Sequence, residues 1–343
     1  MADEHNRPRD LRVWCELLPH AELVRPRSLD FLVRYGLDVA LAVRPQDLGG
    51  LADVVGTLTD VGIGVALWPM LDDADGRWAN SANASAFVAF AEATVKAAHA
   101  GSARAMEIVF DVEPPIDEGR RALALVADSW RDAWRASPEA VAIWRRVTAR
   151  VPAAERAYLA AFARFREEGL LVSSALLPTA LAGGDRAAAW ERAIGVPHLA
   201  DAWDHASLMI YTSLLEGWSR GVLGRKDAVA VLDHASRSTL RRFGARAGVS
   251  LGTVGVGAFG NEPVYRDPGE LAADVAVVRN VGIERLALFD WAGVLARPPV
   301  EPWLDAFAGS DGSRPTYVPE KTLRATALLR VLRAVGRGVA RFG

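Results

Sequence analysis

MEIVFDVEPP, residues 106–115, begins as a run of β-forming apolar residues and ends acidic. On an extended chain, side chains two apart share a face, so Val109, Asp111 and Glu113 point the same way. That face is apolar first and acidic toward the strand's end. Pro114 and Pro115 then close the strand and stiffen the exit, which places Glu113 at a rim.

Seven further runs of the same kind flank this one. LRVWCEL (11–17), DVALAV (38–43) and GVALWPM (64–70) precede it; LLVSSALL (170–177), SLMIYTS (207–213), SLGTVGV (250–256) and RLALFDW (285–291) follow. Between them, apolar residues recur at helical spacing, as in Leu48 to Val61, Ala84 to Ala100, Ala228 to Ala245 and Pro268 to Val281. Alternating strands and helices mean parallel α/β architecture. Eight such units predict a single (β/α)₈ TIM barrel, with an open doubly wound sheet as the alternative.

Two additions to the barrel are expected. The stretch from Asp117 to Glu168 is long, and Pro138 and Pro152 divide it into two or three helices, packed through Trp130, Trp134 and Trp144. Those tryptophans could instead line a sugar cleft. The tail, residues 321–343, reads as a basic amphipathic helix, leaving 1–320 as the barrel domain. Leu328, Val331, Leu332 and Val335 share one face of that helix, and Arg330, Arg333 and Arg337 lie opposite. Its plain role is to cover the barrel; membrane-surface contact is the sharper alternative.

The bulk properties narrow the function. The chain of 343 residues is 51% hydrophobic and 24% charged, with a formal net charge of -2, which argues against nucleic acid as a partner. Cys15 is the single cysteine, so neither an intrachain disulfide nor a cysteine metal site is expected. The start, MADEHNRPRDLRVW, is polar, and no run of about 18 apolar residues appears. A cytoplasmic setting is expected. Gly255, Gly257 and Gly260 match GxGxxG, but late in the chain and followed by Pro263 and Pro268 rather than by a helix, so they read as tight packing around strand 7.

In a barrel, chemistry gathers where strands end. Those positions hold Glu16, Arg44, Trp68, Asp72, Asp73, Asp111, Glu113, Tyr211, Glu216, Asn261, Asp290 and Trp291. Asp111 and Glu113 stand out. Two carboxylates so close repel, which raises the proton affinity of at least one and makes a general acid. The bland alternative is that both acids meet arginines in a polar network. A divalent cation is the weaker reading, because His20 and His205 are not spaced as ligands; no metal and no cofactor are expected. On strand 6, Met209 and Tyr211 face inward together. Trp291, ending strand 8, is either a platform for a sugar or part of the core.

Taken together, these three sites resemble the chitinase-type glycoside hydrolases of family 18. That family carries D-x-x-D-x-D-x-E on strand 4, M-x-Y on strand 6 and a tryptophan at the end of strand 8. Asp111-Val112-Glu113, Met209-Ile210-Tyr211 and Trp291 match these in order and strand placement, so the resemblance spans the barrel. Met106 and Val109 replace the two earlier acids, Thr212 replaces the aspartate that often follows the tyrosine, and GVALWPML departs from the family's strand 3.

The resemblance implies hydrolysis of a glycosidic bond with help from the substrate's own 2-acetamido group, an exception to the usual two-carboxylate scheme. Glu113 is then the general acid, Asp111 and Tyr211 orient the acetamido group, and Trp291 is the floor. Trp68, Met209, Glu16 and Asn261 complete the expected substrate-binding set. The substrate is a carbohydrate or a glycosylated small molecule. Two other readings stay open: a non-catalytic carbohydrate-binding barrel, and a metal-dependent lyase, isomerase or phosphodiesterase in which Glu16, Asp72, Asp111 and Glu113 converge on a cation.

Overall fold

Strand β4 (Glu107–Val112) hydrogen-bonds to β3 (Val65–Pro69) on one side and β5 (Leu171–Leu176) on the other. The chain is seen here as a computed structural model describing residues 10–114, 138–178, 185–309 and 319–342. β1 (Leu11–Cys15), β2 (Asp38–Val43), β6 (His205–Met209), β7 (Ala247–Gly252) and β8 (Arg285–Phe289) complete the set. All pair in parallel, in sequence order, and β8 pairs with β1, so the eight strands close into a barrel. The chain is a (β/α)₈ barrel.

Closure gives every strand two buried faces, and the alternation sorts side chains between them. The outward face meets the surrounding helices through residues such as Val13, Leu41, Leu67, Ile108, Phe110, Leu208 and Leu288. Inside sit Trp14, Ala40, Ala42, Ala66, Trp68, Met70, Val109, Ala175, Ala287 and Phe289. The volumes compensate: Trp14 and Trp68 meet edge to face at 4.7 Å, and the strand between them contributes the small Ala40 and Ala42 to the apolar interior. The Trp14 indole donates to Ser250 Oγ at 3.0 Å, which satisfies its one polar atom.

Several boundaries differ from the sequence reading. β6 begins two residues earlier than expected and ends at Met209; β7 is likewise displaced toward Ala247. After β4 a helix runs from Pro138 to Glu167 with Pro152 inside it, rather than the expected break. Val151, Ala154, Tyr158, Phe162 and Phe165 on that helix are all buried, and this packing outweighs the lost backbone hydrogen bond at an exposed proline. Trp130 and Trp134 lie outside the described residues, as does the side chain of Trp144.

The last helix, Leu323–Phe342, packs against the helices Asp185–Ala193 and Arg225–Phe243. Ala325, Leu328, Leu329 and Leu332 face the body, but Val331 is 53% exposed beside Arg330 and Arg333, not part of the apolar face expected for it. Among the described residues, no helix is long and apolar enough to cross a membrane.

The glycine string fits close packing. A Cβ on Gly255 would lie 2.6 Å from both the Asp290 carboxylate and the Gly293 backbone, and Gly260 adopts a φ of +75° that a side chain would resist.

Candidate active site

The end of β4 is held by a segment that follows β3. Ala79 donates its N–H to the Asp111 carbonyl at 3.0 Å, and Glu113 donates its N–H to the Ala79 carbonyl at 3.2 Å. This added bridge extends the extended run past Val112, so Asp111 and Glu113 keep the same inward facing that the spacing predicted. Their side chains are hydrogen-bonded to each other. Asp111 is 3% exposed, and its Oδ1 has no hydrogen-bond partner among the described residues.

The same segment brings a group that the sequence reading missed. Arg77 is buried and clamps Glu16 at 2.7 Å and Asp73 at 2.6 Å. A third carboxylate, Glu16 at the end of β1, thus joins the pair with its own counter-charge. Burial pushes Glu16 up to about 7, against the pull of Arg77 and Arg44. Burial also raises Glu113 to about 7, a rise that Glu16 reinforces and the hydrogen bond from Asp111 moderates. Asp111 is raised as well, by burial first and then by Glu113 and Glu16. The pair therefore holds a proton near neutral pH, as an acid catalyst must.

Above them opens a cavity of about 470 Å³, a size suited to a small organic ligand. Glu16, Trp68, Asp111, Glu113, Met209 and Tyr211, six of the residues expected from the sequence, line it. Tyr211 lies just beyond β6 with extended backbone and stacks on Phe289 at 5.7 Å. Burial, then the Asp111 and Glu113 charges, drives its phenol pKa up, so it remains a donor. The Trp68 indole N–H, also buried, has no acceptor among the described residues.

Two expected residues are elsewhere. Trp291 is fully buried in the outer core, where its indole donates to Ser28 Oγ at 2.9 Å. β8 stops at Phe289, and Asp290 accepts from Gly293 N–H at 2.9 Å to cap a short helix, Trp291–Leu295. That turn carries the indole outward, and Phe289 takes the inward position. Asn261 is exposed and lies off the cavity; its neighbour Glu262 lines it instead and accepts from Phe259 N–H at 2.8 Å.

Residues not foreseen line much of the wall: Trp14, Trp78, Phe259, Phe289 and a group of leucines. Trp14 had a signal, since it alternates with Glu16 on β1. Trp78 and Phe259 come from loops, where no periodicity marks them. Asp72 has no place in the cavity wall, and among the described residues no three His, Cys, Asp or Glu side chains gather as a metal ion would need.

No protein-family model and no curated protein matches the chain. Among solved structures it is similar to the glycoside hydrolase domain of PgaB (BpsB) from Bordetella bronchiseptica, at 13% identity over 88% of this chain and 100% of that one, with a TM-score of 0.48. A GH18 chitinase from Pseudoalteromonas aurantia gives 9%, 87%, 98% and 0.45 for the same quantities. A D-allulose 3-epimerase from Methylomonas sp. gives 14%, 82%, 83% and 0.41. At this distance none of them speaks for the chemistry of this cavity.

Proposed function

We propose that this barrel is a glycoside hydrolase whose general acid is Glu113 and whose substrate is a sugar bearing a 2-acetamido group. The observation that carries the reading is the hydrogen-bonded pair of a buried Asp111 and a half-buried Glu113, with no arginine of its own, lining one cavity with Tyr211. A carboxyl raised to about 7 is protonated in a large fraction of molecules at neutral pH and still acidic enough to give its proton away.

Glu113 donates its proton to the glycosidic oxygen as that bond breaks. The acetamido carbonyl oxygen attacks the anomeric carbon, so no protein nucleophile is used. Asp111 accepts from the acetamido N–H through the oxygen that lacks a protein partner, and the Tyr211 hydroxyl donates to the acetamido carbonyl. The Glu113 carboxylate then takes a proton from the water that opens the cyclic intermediate. With Trp291 turned outward, Trp14, Trp68 and Phe289 supply the flat apolar surfaces beneath the sugar.

The test is turnover of an aryl N-acetylglucosaminide by Glu113→Gln. Loss of the acid is expected to lower kcat on the order of 10²–10⁴-fold, with the thermal melt preserved or raised. A variant as fast as the parent protein would end the proposal.

A further inference from the structure

The cavity's two flanks are chemically unlike. Deep in the barrel and toward β1, β3 and β4 lie Trp14, Trp68 and Trp78 with the carboxylates Glu16, Asp111 and Glu113. On the β5–β7 flank, beyond the strand ends, the wall is chiefly Leu177, Leu214, Leu215, Leu223 and Leu328, with Phe259 set edge to face against Trp218. These come from the end of β5, the helix Thr212–Trp218 and the turn after it, the loop after β7, and the C-terminal helix. None is charged. Val222 and Val256, each next in sequence to a lining residue, are themselves exposed, at 65% and 44%.

A second or third sugar ring on this flank would bring hydroxyls that need partners. The polar side-chain groups available to them there are Ser219, Thr253, Glu262 and the Trp218 indole N–H; Thr253 Oγ1 already donates to the Pro263 carbonyl, and one Glu262 oxygen is taken by the Phe259 N–H. Burying hydroxyls against leucine is unfavourable, whereas burying methylenes is favourable. The wall selects for hydrocarbon.

We infer that this flank binds an unbranched apolar chain of the substrate, which makes the substrate an amphiphile: a glycoside whose aglycone is a hydrophobic alcohol. The inference rests on the glycosidase reading for what sits at the acid pair. It rests on the leucine wall, continuous with that pair in one cavity, for what leaves. Protonation by Glu113 releases the long-chain alcohol along the apolar flank, and the sugar stays over Trp14 and Trp68 until water completes the reaction.

The experiment measures binding and hydrolysis of methyl, butyl, hexyl and octyl N-acetylglucosaminides below their micellar concentrations, with the N-acetylglucosamine trimer as comparator. Binding is followed by calorimetry with the full chain. The dissociation constant is expected to fall about threefold to fourfold per added methylene until the flank is filled. Leu214→Gln and Leu328→Gln, checked by thermal melt, should each flatten that dependence.

An affinity indifferent to chain length, with the trimer bound more tightly, overturns the inference; Glu113-dependent cleavage of the trimer would then leave the glycosidase reading standing. Length-dependent binding with no cleavage of any glycoside has the reverse meaning. It upholds the hydrocarbon site and defeats the glycosidase reading.

Discussion

Strand β4 carries acids at both ends, and the barrel treats them oppositely. Glu107, at the closed end, is 2% exposed and gripped by Arg12 through two hydrogen bonds of 2.9 and 2.6 Å, with Ser173 as a further donor. Burial by itself would raise its pKa, but the Arg12 charge and these hydrogen bonds hold it at about 2. Asp111 and Glu113, at the open end, have each other, and Asp111 alone a small share of the charge of Arg77, which Glu16 already engages. Their proton affinities rise. One strand thus holds a carboxylate that is fixed as an ion and a pair that keeps a mobile proton. Burial is common to both ends; the presence of a dedicated guanidinium decides between them.

The largest expected effect comes from taking that guanidinium away. Arg12→Met leaves Glu107 buried without a counter-charge and should cost about 3–5 kcal/mol at pH 7, read from urea denaturation. Arg12→Met with Glu107→Leu should recover most of the loss, because the penalty belongs to the stranded charge. A single substitution costing less than 1 kcal/mol, by the order of magnitude expected for surface pairs, would show that the closed end is not held by this ion pair.

At the open end the sign reverses. Glu113→Gln removes a group that resists ionisation, so the folded state should gain about 0.5–2 kcal/mol at neutral pH while turnover is lost. The pH dependence separates the two ends further. Glu107, lowered from an ordinary 4.5 to about 2, stabilises the fold fully above 4.5, and that share disappears as pH falls toward 2. Glu113 and Glu16, raised from 4.5 to about 7, bind protons more tightly folded than unfolded; their share is full below 4.5 and disappears as pH rises to about 7. Each titrating group contributes a slope of up to roughly 1.4 kcal/mol per pH unit within its window. The advantage of Glu113→Gln should therefore shrink between pH 7 and 5, while the deficit of Arg12→Met shrinks as pH falls through the raised pKa of its stranded Glu107 and on toward 2, so that relative to the parent one variant loses stability and the other regains it. Parallel profiles for the two variants would collapse the distinction between the ends.

How much of this was legible in sequence follows from the range of each interaction. Asp111 and Glu113, or Met209 and Tyr211, are two residues apart on extended backbone, and period two alone places each pair inward. The closed barrel follows from eight repeats of one local pattern. Trp291 defeated the same rule because β8 ends at Phe289: an aspartate capping WAGVL starts a helix, and helix geometry replaces strand alternation at that residue. β7 was displaced because AGVSLG is poor in β-branched residues and is a strand chiefly because the barrel buries both its faces. Arg12 meets Glu107 across 95 positions, and the leucine flank draws on segments from Leu177 to Leu328; neither has a local signature.

The smallest expected effect tests whether the open end is a trio rather than a pair. Glu16 lies within the field of both acids: its charge raises Asp111 and Glu113 alike, and Arg77 screens it only in part. For an enzyme whose acid must be protonated, kcat/KM falls as pH climbs past that group's pKa. Glu16→Gln removes one negative charge but keeps the shape and an acceptor for Arg77. Glu113 then loses its proton more readily, and the falling limb of the pH–rate profile should move to lower pH with kcat at its plateau little changed. A merely structural Glu16 would lower the plateau or the melting temperature and leave the limb where it was. A limb that stays in place in a well-folded Glu16→Gln would reduce the open end to two carboxylates and make the Arg77 clamp a device for holding the β3 segment against β4.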